Sequence, residues 1–293
     1  MSKPPILDLI NDRVVIMDGA MGSLLMEKGL PPGSPPDSWN ILQPKLVQEF
    51  HKKYFNAGSD IVLTNTFGGS RLKLAAHNQD DKTEEINQQA VEMVKEICPE
   101  NGYIAGDIGP SGKFLPPLGK ITVDDFYENS LEQASILEKA GVDLFFVETM
   151  VDIKEAEVAV KAIKKVSNKP IFASITYQKT KRGYFTVMGN TVEDCIKTLE
   201  VAGASVIGAN CTIGSDEMVD LVPQMKAVSS KPIIVKPNAG QPQLVQGKTF
   251  YPTSPADFAI DIKQMVAHGA RVVGGCCGSN PSFIETITQK LKE

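Results

Sequence analysis

Two kinds of apolar pattern take turns along the whole chain. Short runs rich in β-branched and aromatic residues recur at 14–17, 60–63, 103–105, 144–147, 171–175, 206–209, 233–235 and 272–273, each bounded by Gly, Pro, Asn or Asp. Continuous apolar runs of this length predict strands buried on both faces, as in a parallel sheet. Between them the apolar positions fall at helical spacing, over 45–56, 84–97, 123–140, 153–166, 192–202 and 256–268. Asp124 opens an acidic first turn, Thr191 precedes Glu193 and Asp194, and Ala-Gly pairs at 57–58, 140–141 and 202–203 read as helix stops. Strand and helix alternating eight times predict an α/β chain folded as a (β/α)8 TIM barrel, a single domain over residues 1–293.

An open, doubly wound sheet is the competing architecture. It would carry a Gly-rich phosphate fingerprint after its first strand. Here that turn reads Asp18-Gly19-Ala20-Met21-Gly22, with the wrong glycine spacing and no acidic partner at the usual distance. The Pro-rich stretches 31–36 and 116–117 read as stiff loops on the barrel face, and 179–183 as a turn.

Composition narrows the class further. With 293 residues, 42% of them hydrophobic, the chain buries a full core without disulfide staples. A net charge of -5, spread along the sequence, gives nucleic-acid binding no electrostatic support. No run of 18 apolar residues occurs, and Met1 to Pro5 form no apolar leader, so neither secretion nor a membrane span is expected. Five cysteines, an odd number, fit a reducing compartment, and the expectation is a cytoplasmic protein.

Active sites of such barrels form at the C-terminal strand ends. Read in order, those ends carry Asp18, then Thr64, Asn65 and Thr66, then Asp107, then Glu148 and Thr149. Thr176, Asn210 and Cys211, Pro237 and Asn238, and Cys276 and Cys277 complete the circuit. Each taken alone has a bland explanation: Asp18 can cap a helix and Asn65 can close a turn. Cys98 and Cys195, on helices, read as small buried hydrophobes.

Cys211, Cys276 and Cys277 read differently, because they follow strands six and eight and should meet at one mouth. Adjacent cysteines rarely bridge each other. Three thiolates suit Zn2+, and three ligands from distant strands leave one position open, the mark of a catalytic rather than a structural site. So anionic a site activates water poorly. It can instead hold a substrate thiol as thiolate near neutral pH, against a free pKa of about 8.5, and thiol alkylation is the chemistry it favours.

At this point the motifs resemble those of the homocysteine S-methyltransferases, and most closely the homocysteine-binding domain of cobalamin-dependent methionine synthase. The matching segments are M-D-G-A-M-G at 17–22, L-T-N-T-F-G at 63–68, G-D-I-G-P-S-G at 106–112, V-E-T at 147–149, G-A-N-C at 208–211, P-N-A-G at 237–240 and G-G-C-C-G at 274–278. The resemblance implies a barrel whose zinc is held by Cys211, Cys276 and Cys277, with homocysteine sulfur joining them. It implies that Asn238 takes the open position without substrate and that Glu148 receives the homocysteine ammonium. Gly19, Ala20 and Met21 would hold the carboxylate through backbone N–H groups, with Asp18 and Thr66 completing the pocket. Two features depart from the pattern: the segment Y-F-T-V-M-G-N at 184–190 is less polar than expected, and Lys236 precedes Pro237.

None of His51, His77 and His268 sits in the Asp-x-His-x-x-Gly element of a cobalamin-binding module. The methyl donor is therefore expected to be a methylcorrinoid on a separate protein, or a small sulfonium or ammonium compound. Three alternatives remain. A substrate methyltransferase would move a methyl group from an O-, N- or S-methyl compound to a corrinoid protein. A Schiff-base lyase would use Lys236, and a non-catalytic zinc-binding or sensor protein would use neither.

Overall fold

The computed structural model describes residues 3–245 and 248–293. Its main sheet has eight parallel strands: β1 (Val15–Ile16), β2 (Ile61–Leu63), β3 (Tyr103–Ile108), β4 (Leu144–Met150), β5 (Ile171–Ile175), β6 (Val206–Gly214), β7 (Ile233–Asn238) and β8 (Ala270–Val273). Their order is β1-β8-β7-β6-β5-β4-β3-β2. The two ends meet through a single parallel bridge, Met17 to Ile61, so the sheet rolls into the expected (β/α)8 barrel.

Each strand is followed on the outside by a helix: Pro44–Ala57, Thr83–Lys95, Val123–Ala140, Ile153–Val166, Val192–Ala202, Ser215–Val228, Pro255–Ala267 and Pro281–Lys290. Thr122 and Thr191 open two of these with reciprocal capping boxes, using Asp125 and Asp194. Gly58, Gly141 and Gly203 end three of them in the left-handed conformation.

Inside the barrel the side chains stack in layers. The helix Ile6–Asp12 contributes Ile6 and Ile10 to the same cluster as Val15, Ile61, Leu144, Phe146, Phe172, Val206, Ile234 and Val272, so one end is sealed by apolar packing. Successive residues of a strand point to opposite faces. Two positions beyond Ala105, Phe146, Phe172 and Ile234, the inward face therefore carries Asp107, Glu148, Ser174 and Lys236. The same count along β6, four positions beyond Val206, reaches Asn210. The upper interior layer is polar, and all five residues are buried.

Several strands run further than their apolar runs suggest. β3 extends to Ile108, β4 to Met150, β6 to Gly214 and β7 to Asn238. Polar groups that would mark a loop in sequence here continue the ladder. Two hairpins rise beyond the barrel, one formed by Gln178–Thr180 and Gly183–Phe185, the other by Gln243–Val245 and Lys248–Phe250. The expected turn at 179–183 lies within the first. Among the described residues, no helix is long and apolar enough to cross a membrane.

Candidate active site

Bulges at two strand ends aim the key side chains. The register between β4 and β5 shifts between Val147 and Met150, and that between β6 and β7 shifts between Asn210 and Gly214. An extra residue bends the strand and re-aims what it carries. Among the described residues, three of the four non-glycine residues with positive φ lie in these bulges: Thr149 (58°), Cys211 (59°) and Thr212 (57°). The left-handed conformation costs roughly 1–2 kcal/mol for a residue with a Cβ, so the surrounding bonds must hold it.

Asn210, fully buried, supplies those bonds at Thr149. Its Oδ1 accepts from the Thr149 N–H (2.8 Å) and from the Ser174 hydroxyl (2.6 Å). Its Nδ2 donates to Thr149 Oγ1 (2.7 Å) and Glu148 Oε2 (3.2 Å), and lies 3.9 Å from Cys276 Sγ. One side chain thus ties β4, β5 and the cysteine loop together.

The loop after β8 brings Cys276 and Cys277 against Cys211. Their sulfurs all lie within 4.8 Å of one another, and Cys211 and Cys277 are 3.9 Å apart. Sulfurs around a tetrahedral Zn2+ at about 2.3 Å stand about 3.8 Å from each other. The three donors fit such an ion with little movement. Hydrogen bonds from Cys211 and Cys276 hold the Cys277 thiol down to about 3, whereas Cys276 is pushed well above the usual thiol range by its two sulfur neighbours.

Backbone bonds fix the loop to β7: the Cys276 N–H donates to Pro237 O (2.8 Å), and the Ala239 N–H to Cys277 O (2.9 Å). Asn238 lies between these anchors, buried, and its Oδ1 has no hydrogen-bond partner. A buried, unpartnered amide oxygen on the strand that anchors the cysteine loop makes Asn238 a candidate further donor for a cation. Gly278 follows at φ 81°, and a Cβ there would meet the Tyr251 ring at 2.2 Å. Only glycine lets this turn pass beneath the tyrosine.

A cavity of about 250 Å³ opens beside the sulfurs. Its walls include Asp18, the Gly19–Ala20–Met21 turn, Asp107, Glu148, Cys211, Lys236, Tyr251, Cys276 and Cys277. Asp18 does not cap the next helix. Its Oδ2 accepts from the Leu63 N–H (2.7 Å), and its Oδ1 from Lys236 Nζ (2.8 Å). Burial works against the Lys236 charge, but Asp18 and Glu148 outweigh it, and its pKa ends above the ordinary lysine value. An ammonium held this way has no free lone pair for Schiff-base chemistry. Burial pushes Glu148 up to about 7, opposed by Lys236, and raises Asp107 well above the carboxylate range, with Glu148 adding to the rise.

The remaining residues take plainer places. Thr66 is fully buried, and its hydroxyl donates to Asp107 O at 2.7 Å, so it stands behind the cavity wall. Asn65 joins Pro36 O and Asn40 Oδ1, both at 2.9 Å, closing loops as its bland reading had it. Cys195 is buried on its helix and Cys98 packs beside the core, both apart from the sulfur trio. Sequence reasoning missed the Lys236–Asp18 pair, the Asn210 hub and Tyr251. Counting every second residue past the inward apolar positions would have placed Lys236 and Asn210 on the inner face, though not the pairing of Lys236 with Asp18.

Fold and site together define a (β/α)8 barrel with a three-thiol centre at its C-terminal mouth. The sequence profile described as homocysteine S-methyltransferase matches residues 15–291, and the chain belongs to that family of methyltransferases. Methionine synthase from Mycobacterium tuberculosis is 29% identical over 302 residues, which cover 96% of this chain and 25% of that protein. The Mycobacterium leprae methionine synthase is 28% identical, covering 96% and 24%. The chain thus spans about a quarter of the length of these curated relatives. The structure of the homocysteine methyltransferase MmuM from Escherichia coli, in its metallated form, matches with a TM-score of 0.82 at 21% identity. That match covers 98% of this chain and 100% of the other, a likeness of fold.

Proposed function

We propose that the chain is a zinc-dependent thiol methyltransferase that methylates homocysteine to methionine, with residues 1–293 acting as one domain. The methyl group would come from a methylcorrinoid on a separate protein or from a small methyl donor. The observation that carries this reading is the convergence of three sulfurs from two remote loops on one small cavity with a few buried polar groups on its wall. At about 250 Å³ the cavity lies just under the usual range of about 300–1,000 Å³ for small-molecule sites. That size suits a compact amino acid better than the larger methylated compounds of the demethylase alternative. The one reacting in this pocket would be homocysteine.

Zinc, when bound, supplies a soft Lewis acid that favours the thiolate form of a substrate thiol at neutral pH. Cys211, Cys276 and Cys277 would hold it, with Asn238 Oδ1 the fourth donor when no substrate is present. Glu148 would accept the homocysteine ammonium, whose charge offsets the burial that drives this carboxyl up to about 7. Asp18, bonded to Lys236 and Leu63, would fix the pocket floor. Backbone N–H groups of Gly19, Ala20 and Met21 would face the substrate carboxylate. The Ala20 N–H now meets Ser279 Oγ at 3.3 Å, long enough to be exchanged for a charged acceptor. Thr66 would act from behind by steadying Asp107. A cytoplasmic setting keeps the thiols reduced.

Zinc content and zinc-edge X-ray absorption, with and without homocysteine, test the reading. The coordination shell should gain one sulfur on adding homocysteine, and Cys276→Ala should lose tight zinc binding. Full metal content and turnover in that variant would refute the assignment. Methionine formation from homocysteine and methylcobalamin is the expected activity. Turnover only with a methylated substrate and cob(I)alamin would point to the demethylase alternative.

A further inference from the structure

Two hydroxyls grip the turn after β1 from opposite ends of the chain. Tyr54, on the helix Pro44–Ala57, is fully buried, and its hydroxyl donates to Ala20 O at 2.7 Å. Ser279, in the loop after β8, donates its hydroxyl proton to Cys276 O (2.7 Å) and accepts from the Ala20 N–H at 3.3 Å. Gly19 passes between the two. A Cβ there would stand 2.6 Å from Ser279 Oγ and 2.9 Å from Tyr54 Oη, so only glycine lets both hydroxyls close on the turn.

The two grips are unequal. At 2.7 Å the Tyr54 bond is a full one for a hydroxyl donor, whereas 3.3 Å is long for an amide N–H. The orientation of this stretch of backbone is therefore set mainly at the Ala20 carbonyl, by Tyr54.

The cavity wall runs through Gly19, Ala20 and Met21, and Tyr54 is buried behind it. The Ala20–Met21 peptide is trans, so its N–H points opposite to its carbonyl. A carbonyl drawn back onto Tyr54 turns the Met21 N–H forward, towards the cavity. Among the described residues that N–H meets no acceptor.

We propose that Tyr54 is a positioning residue, which acts through the Ala20–Met21 peptide to aim the Met21 N–H at an anionic group of the substrate. The proposal rests on the homocysteine reading above and deepens it, because it names what sets the turn for the substrate carboxylate. Without the hydroxyl, Ala20 O loses its buried donor and the peptide is free to rotate. Rotated, it offers a carbonyl oxygen where the carboxylate needs a donor. Tyr54 thus favours thiols that carry a carboxylate without touching them.

The test is calorimetric titration of zinc-loaded wild type and Tyr54→Phe with homocysteine and with 3-aminopropanethiol, the same aminothiol without the carboxylate. Wild type should prefer homocysteine. Tyr54→Phe keeps the ring and removes one oxygen. It should weaken homocysteine about 10- to 100-fold, the worth of one charge-assisted bond, and leave 3-aminopropanethiol within about 2-fold. Its zinc affinity, read against a chelating dye, should match wild type, because the backbone bonds to Pro237 and Ala239 still hold the cysteine loop.

Unchanged homocysteine binding in Tyr54→Phe overturns the inference, and so does an equal loss for both thiols. A fall in zinc affinity as large as the loss of homocysteine overturns it too, by tracing the effect to the cysteine loop. Wild type that binds neither thiol overturns the homocysteine reading, and the role of Tyr54 falls with it. A structure of the wild-type homocysteine complex gives a second check that needs no variant. A carboxylate oxygen on the Met21 N–H, with Ala20 O still on Tyr54, supports the inference; a carboxylate held elsewhere overturns it.

Discussion

Asn210→Asp changes one atom of the buried hub. The variant keeps the oxygen that the Thr149 N–H and Ser174 hydroxyl use, so the left-handed turn at Thr149 retains its support. It replaces the Nδ2 donor, 3.2 Å from Glu148 Oε2, with a carboxylate oxygen. At that separation two unit charges repel by about 5 kcal/mol for an effective dielectric of about 20. Proton uptake by one carboxyl sets a lower ceiling on the cost. Glu148 already titrates near 7 through burial, and a second carboxylate raises it further. Carboxyls whose pKa is raised on folding make the folded state bind more protons than the unfolded one. Their penalty is absent below the unfolded value and grows as pH climbs towards the folded one. Asn210→Asp should therefore lie about 1–2 kcal/mol below wild type at pH 5 and about 3–5 kcal/mol below it at pH 8. Asn210→Ala strands the Thr149 N–H and the Ser174 hydroxyl without adding charge, and should lose about 2–4 kcal/mol at both pH values. Urea denaturation at equal zinc load reads both effects. Equal midpoints for Asn210→Asp and wild type at pH 8, or a loss independent of pH, would refute the reasoning.

Two further outcomes follow from the pocket walls. Lys236→Met leaves Asp18 buried and uncompensated, and should cost about 3–5 kcal/mol in thermal unfolding, most of it recovered when Asp18→Asn is added; no recovery would sink the pairing argument. Gly278→Ala forces a Cβ towards the Tyr251 ring at φ 81°, and should cost about 1–3 kcal/mol while weakening zinc in competition with a chelating dye. Wild-type zinc affinity in that variant would show that the turn does not aim Cys277.

The barrel was legible because its strands are unbroken apolar runs and its helices keep a separate period. The helix limits at 123–140, 153–166 and 192–202 agree with the structure to the residue, since caps and glycine stops mark them locally. Strand ends were not legible in the same way. Asp107, Glu148, Asn210 and Asn238 end the apolar runs in sequence, yet each continues a strand, because the backbone ladder does not depend on the side chain being apolar. The cysteine trio could be foreseen from residue type and strand count. The Lys236–Asp18 pair could not, because 218 residues separate its members and nothing local links the two. The bulges at Thr149 and Cys211 have no glycine to announce them. The left-handed turn at Thr149 is held by Asn210 across the barrel, and Thr212 is tied to Tyr177 O.

Asp18 sits where the barrel is joined least securely. β1 spans only Val15–Ile16, and one bridge closes it onto β2. Asp18 reinforces that join from its whole length: its N–H donates to Ile61 O, its carboxyl accepts from the Leu63 N–H and Lys236, and its carbonyl accepts from the Gly275 N–H. The clasp of the hoop is thus also a wall of the chamber. A guest that presses on Asp18 tightens or loosens the ring itself, so occupancy of the chamber and integrity of the ring share one energy.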